Sequence, residues 1–242
     1  LSGPYKNYRS LGAHLEGTAG HTLLRGYPDT DPSMTEDVYL GDAAAAVAGA
    51  FATASALWQT KRTGQGKLVE LCQTENLISF FGEYILDYQM NGRLHAQPGN
   101  DLDSLAPHNS YPCLGEDQWV AIAVGTDDQW QSLTKVMDSP SWASDEKFST
   151  QEKRFANRAE LDDHIARWTI NHNNRWVMET LQEAGIPAGA VNGERAAYND
   201  PHLEDRGFFE EITHAESGTH KYPGIIWKMA RTPNAVRLPP CR

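Results

Sequence analysis

Apolar and polar residues fall along this chain in patterns that change character several times. The strongest pattern starts at Tyr39-Leu40-Gly41-Asp42 and continues through four alanines, Ala43 to Ala46. It predicts a central helix over residues 43–58, with Val47, Phe51, Ala54 and Trp58 on one stripe and small residues on the other faces. A helix apolar all round is expected to be buried on most sides. Gly49 in its interior costs roughly 1 kcal/mol relative to Ala, which fits a backbone or ligand packed closely there. The Lys61-Arg62-Thr63-Gly64-Gln65-Gly66 turn stops the helix. Lys67 to Cys72 then alternates like a strand, and Thr74 to Met90 reads as another long helix.

Before this stretch the chain is rich in turn residues, Gly3-Pro4-Tyr5 and Gly26-Tyr27-Pro28-Asp29. Between them Leu11 to Leu24 predicts a short helix interrupted by Gly17 and Gly20, with Glu16 read as a solvated helix charge. Asn91–Asp103 is a Gly-, Pro-, Asn- and Asp-rich linker. After it come strands at Asn109–Leu114 and Gln118–Val124 around a Gly115-Glu116-Asp117 turn. Thr126 caps a helix reaching Met137. Helices follow at Arg158–Asn171 and Asn174–Ala184, the second ending at Gly185 with Pro187 beyond, and Ala188–Val191 adds a short strand. A helical turn at Pro201–Arg206 precedes two strand-like pieces, Phe208–His214 and Tyr222–Met229, around a Gly218 turn. The order β-β-α-α-α-β marks a compact α+β unit over about 104–195.

Composition narrows the function. A chain of 242 residues with 40% hydrophobic and 22% charged residues is an ordinary globular protein with room for a real core. Its formal charge of −11 argues against nucleic acid or an anionic membrane as partner, because both need a positive surface. No apolar run is read as approaching a membrane-spanning length. Cys72, Cys113 and Cys241 are scattered, as expected of free thiols in a reducing, cytoplasmic setting. The chain opens Leu1-Ser2-Gly3-Pro4 without an initiator Met and closes Leu238-Pro239-Pro240-Cys241-Arg242, so it is read as a piece of a longer polypeptide.

Several chemistries lack an anchor. The nine histidines do not gather at ligand spacing, and no Cys-x-x-Cys occurs, so no metal is expected. The Gly64–Lys67 turn lacks the spacing and the following Ser/Thr of a phosphate loop, and it follows a helix instead of a strand. No Gly-x-Ser-x-Gly elbow appears. Cys72 and Cys113 both read as inert core cysteines, Cys113 being the slightly better thiol. Asp42 remains, combining a helix N-terminus, a glycine neighbour that lets a ligand approach, and a low alanine wall. An Asp at that place caps a helix as readily as it reacts. Local pattern alone leaves both readings open.

The order and spacing of further segments resemble a known family. They are Gly3-Pro4-Tyr5, Glu16 with Gly20, Gly26-Tyr27-Pro28-Asp29, Tyr39-Leu40-Gly41-Asp42, and Arg62-Thr63-Gly64-Gln65-Gly66 with Val69-Glu70. Later come Pro98-Gly99-Asn100, Ala106-Pro107, Tyr111-Pro112-Cys113, Ala184-Gly185-Ile186-Pro187 and Arg231-Thr232-Pro233. Together they resemble the class III CoA-transferase family, which also includes acyl-CoA racemases. The resemblance implies an α/β fold: part of a Rossmann-like large domain over 1–98, a smaller α+β domain over 99–200, and a return segment over 201–242. It implies that the large domain's N-terminal half precedes Leu1 and a helical segment follows Arg242. It implies coenzyme A and acyl-CoA as substrates, a small carboxylate as acceptor, and an interlocked homodimer or a partner chain.

In that family the residue matching Asp42 attacks an acyl-CoA thioester, giving a mixed anhydride and then an aspartyl-CoA thioester. Arg9 matches a basic position near CoA, and Gly41 stands beside the nucleophile. Racemases add a histidine where this chain has Leu11, with His14 three residues away, so proton abstraction at the α-carbon is the alternative. Asn100-Asp101-Leu102-Asp103-Ser104 lacks the glycines of formyl-CoA enzymes, so formyl-CoA specificity is not expected. A second alternative is a truncated chain that keeps the fold without the activity.

Overall fold

A computed structural model describes residues 2–34, 40–102 and 105–239. Tyr39, Asp103, Ser104 and Cys241 lie outside the described residues. The chain divides into two compact units, 1–103 and 104–242.

In the first unit α1 spans Gly12–Ala19. The Leu11 N–H donates to Nδ1 of His14 at 3.1 Å, so this histidine closes the start of α1. Gly20 ends α1 at φ 88°, a left-handed conformation that glycine adopts without Cβ strain, and a 3-10 turn follows over His21–Leu24. Glu16 is not solvated, as the sequence had implied, but buried at 1% exposure. A buried carboxylate needs compensation, and Arg25 Nη2 at 3.0 Å and His21 Nδ1 at 3.3 Å both meet its Oε2. The His21 ring also stacks on Phe81 at 5.7 Å.

The central helix α2 runs over Leu40–Thr63, longer at both ends than its apolar pattern. Lys61 and Arg62 in its last turn complement the helix dipole. It is not buried on most sides. Gly41, Ala44 and Ala45 are buried, whereas Val47, Phe51 and Trp58 are 73%, 75% and 66% exposed. Burial depends on a covering partner as well as on the helix's own pattern, and nothing in the described first unit covers that stripe. Nor does the chain lack an apolar run of membrane-spanning length: α2 is long and apolar enough by length and composition.

The alternating segment 67–72 is extended but pairs with no strand among the described residues, leaving Leu68 exposed. Alternation fits a residue for a sheet, yet a strand exists only when another supplies hydrogen bonds. The long helix expected after it is broken into α3 (Gln73–Ile78), a 3-10 turn at Ser79–Phe81, and α4 (Gly82–Asn91). Leu77 and Phe81 bury with Ala19 to form a small core, edged by Leu24, Leu40, Ile78 and Tyr84.

The second unit follows its pattern more closely. Strands β1 (His108–Pro112), β2 (Trp119–Ala123) and β3 (Ala188–Val191) form an antiparallel sheet in that order, with Tyr111 opposite Val120 and Ala121 opposite Gly189. Val120 and Ile122 point into the core between exposed Trp119 and Ala121, the period-two signature of a half-buried strand. Helices α5 (Asp127–Val136), α6 (Gln151–Ala156), α7 (Arg158–Thr169) and α8 (Asn174–Glu183) carry the rest of that core, in which Leu133, Phe148, Leu161, Ile165 and Leu181 are fully buried. Thr126 accepts from the Gln129 N–H and Asn173 from the Arg175 and Trp176 N–H groups, so both predicted starts have a physical cap. Arg154 is buried over the Trp130 ring and donates to the Ala106 and Phe148 carbonyls and to Asp127 at 2.6 Å.

Short helices α9 (Glu194–Tyr198) and α10 (Pro201–Asp205) lead to a hairpin of β4 (Phe209–His214) and β5 (Gly218–Pro223). The second hairpin strand therefore starts at Gly218 and ends at Pro223, earlier than the expected Tyr222–Met229. Tight pairing of His214 with Gly218 fixes that register.

Candidate active site

The first turn of α2 holds the candidate nucleophile. Leu40 is the first helical residue among those described, so Asp42 stands inside the helix, not in the capping position the sequence pattern implies. Its carboxylate is nonetheless in the turn where unpaired N–H groups and the helix dipole favour negative charge. Asp42 is exposed, and Oδ1 accepts a hydrogen bond from Nε2 of Gln73 at 3.3 Å.

Gly41 is buried, and its bare face turns to α3, not to open space. A Cβ there would lie 3.5 Å from Cδ2 of Leu77, an ordinary contact distance. Leu77 thereby seats the first turn of α2 on α3. Gly49 has only Leu71 nearby, at 4.0 Å from an added Cβ.

Asp42 opens onto a cavity of about 540 Å³. Ser10 and Leu15 approach from α1 and the segment before it, Ala45 and Ala46 from the next turn of α2, and Leu71 to Thr74 from the junction into α3. The alanines keep the wall beside the carboxylate low, as their small side chains predict. Arg9, adjacent to Ser10, is exposed and is not among the lining residues. His14 does not line the cavity either, and its Nδ1 is held by the Leu11 N–H. Leu11, where a racemase would carry histidine, is exposed.

The cysteines separate. Cys113 is buried in the second unit, and burial pushes its thiol up to about 11, which keeps it protonated and unreactive. Cys72 is half-buried and lines the cavity, instead of lying inside a covered strand.

Sequence reasoning passed over Ser10, Leu15, Gln73 and Thr74. Gln73 is 31 residues from Asp42, and no local pattern joins them. The signal available was its place at the junction where period-two alternation gives way to a helix.

The fold belongs to a class with solved examples. A CAIB/BAIF family protein from Brucella suis, 24% identical, superposes with a TM-score of 0.77 over 90% of this chain and 60% of that one. The family model described as CoA-transferase family III matches residues 1–241, and the chain belongs to that family. Among curated relatives, succinyl-CoA–D-citramalate CoA-transferase of Chloroflexus aurantiacus is 30% identical over 97% of this chain and 58% of its own length. Succinate–glutarate CoA-transferase of Agrobacterium fabrum is 26% identical over all of this chain and 58% of its own length. The alpha subunit of succinyl-CoA–L-malate CoA-transferase of Chloroflexus aurantiacus is 29% identical over 97% of this chain and 55% of its own. The chain thus spans little more than half the length of these relatives.

Proposed function

We propose that this chain carries the nucleophile of an enzyme moving CoA from an acyl-CoA donor to a carboxylic acid acceptor. Asp42 attacks the thioester to give a mixed anhydride, and the CoA thiolate converts it to an aspartyl-CoA thioester from which the acceptor takes CoA. The observation that carries this reading is Asp42 itself: an exposed carboxylate on the first turn of a 24-residue helix, facing a cavity with an alanine wall. A carboxylate nucleophile divides one difficult exchange into easier steps. Helix N–H groups favour its ionised form. The dicarboxylate-CoA chemistry in the names of the relatives points to a short dicarboxylic donor or acceptor.

Arg9 is proposed to meet the phosphates of CoA from the exposed segment beside Ser10, and Gly41 to flank the nucleophile in the turn that packs on Leu77. We take the bare stripe of α2 to be covered by protein in the working enzyme, as an interlocked homodimer or beside a partner chain. One relative is named as an alpha subunit, which supports a multi-chain arrangement there. Lipid is the poorer cover, because Asp42 in the same helix has to meet a water-soluble thioester. A cytoplasmic setting fits that substrate.

The test is a transfer assay with succinyl-CoA and a panel of dicarboxylates. Asp42→Asn keeps the side chain's size and removes its charge, so it should fold normally and lose transfer. Equal activity in that variant would reject the nucleophile. Deuterium uptake at the α-carbon without CoA exchange would favour a racemase. Titration with CoA showing no binding would mark the chain as retaining the fold only.

A further inference from the structure

Gln73 opens α3 immediately after the extended segment, half-buried, and forms part of the wall of the Asp42 cavity. Its Nε2 donates to Oδ1 of Asp42 at 3.3 Å. That bond makes the two carboxylate oxygens unequal. Oδ1 is held by an N–H, and among the described residues no side chain is seen to hold Oδ2, the oxygen assigned to attack. An uncharged amide suits this task, since a cation in the same place would form an ion pair and quench the nucleophile.

We infer that Gln73 is a catalytic residue: it fixes Oδ1 while Oδ2 attacks, and later stabilises negative charge on that same Oδ1. The inference rests on the reading of Asp42 as nucleophile. In the first step an Oδ2 lone pair bonds to the thioester carbonyl carbon. The carbon–sulfur bond breaks, and its electron pair leaves on the CoA thiolate. In the second step the thiolate sulfur bonds to Cγ of Asp42, and the Cγ–Oδ1 π pair moves onto Oδ1. Return of that pair breaks the Cγ–Oδ2 bond and releases the donor as a free carboxylate. No proton is gained or lost. Attack of the acceptor carboxylate on the aspartyl-CoA thioester passes through the same charge on Oδ1. The oxyanion therefore forms on the nucleophile's own carbonyl oxygen, where the Gln73 amide already points. A bond of 3.3 Å is long for a resting carboxylate, and donors of this kind tighten as charge develops.

The test is rapid-quench intact-mass analysis with succinyl-CoA, following CoA attached to the Asp42 peptide. Loss of a single oxyanion donor lowers rates by about a hundredfold or more, and Gln73→Ala should slow adduct formation on that scale while keeping its circular dichroism. Gln73→Glu sets a like charge beside Asp42, raising its pKa, so the acid limb of adduct formation should move to higher pH. A merely structural role, with the fold intact, would leave adduct formation in Gln73→Ala at the parent's rate. Wild-type adduct rates in Gln73→Ala, or an unmoved limb in Gln73→Glu, would overturn the role of Gln73 alone. No adduct on Asp42 in the unmodified protein would overturn both it and the proposed nucleophile.

Discussion

Helices α2 and α7 place their apolar residues in opposite ways. In α7 Leu161 and Ile165 are fully buried, and Thr169 on the same face donates its hydroxyl to the Pro112 carbonyl of β1 at 2.8 Å. In α2 the stripe of Val47, Phe51 and Trp58 stands bare, and burial is confined to the turns around Asp42. The second unit therefore contains the partners that its helices need. Among its described residues the first unit buries little beyond the surroundings of the candidate carboxylate: the small Leu77 and Phe81 core, with the cavity wall beside Asp42. A well-filled core and a candidate site are separate properties, and here they fall in different units.

The contrast can be broken by substitution. The largest effect belongs to Leu161→Ala, which empties a fully buried position and should cost about 2–5 kcal/mol in chemical denaturation of the second unit. Tyr111→Phe comes next. The Tyr111 hydroxyl donates to Asp162 at 2.5 Å, and its loss leaves a partly buried acceptor short of a bond, at about 1–3 kcal/mol near neutral pH. Burial, then the charge of Asp162, hold the Tyr111 phenol well above its usual 10.0. A folded-state pKa raised above the unfolded one gives stability that is full below pH 10 and lost as pH rises beyond it. The parent should lose stability in that alkaline window, and Tyr111→Phe should flatten the loss. The smallest effect is expected at Phe51→Ser on α2. On the chain alone it should stay within about 0.5 kcal/mol, as at other exposed sites. A cost of several kcal/mol there would mean that the stripe is covered in solution, and concentration dependence of that cost would identify a second copy as the cover.

How far the sequence carried the reading follows the same division. Thr126, Asn173 and Gly185 mark helix ends through local hydrogen bonds and backbone geometry, so α5 and α8 were legible from a few adjacent residues. Residues 67–72 alternate as strands do, but pairing is non-local, and the alternation carried no information about a partner. Glu16 was misread because its compensation comes from His21 and Arg25, five and nine residues on, after a left-handed turn at Gly20 folds them back. The apolar content of α2 was plain, but whether it is buried depends on what lies against it. Asp42 itself was legible as a candidate; its hydrogen-bond partner and the true position of Gly41 against Leu77 were not. Both arise from the docking of α3 onto α2, which no spacing within either helix encodes.

On the proposed route Asp42 exchanges an oxygen atom with the substrate in each turnover. In the proposed route the acceptor's attacking oxygen bridges to Cγ of Asp42 and stays on the aspartate when CoA leaves with the acyl group. Turnover of succinyl-CoA with a carboxylate acceptor labelled with heavy oxygen should therefore place one heavy oxygen in the peptide bearing Asp42, read by mass spectrometry. Transfer that proceeds while this peptide stays unlabelled would contradict the account.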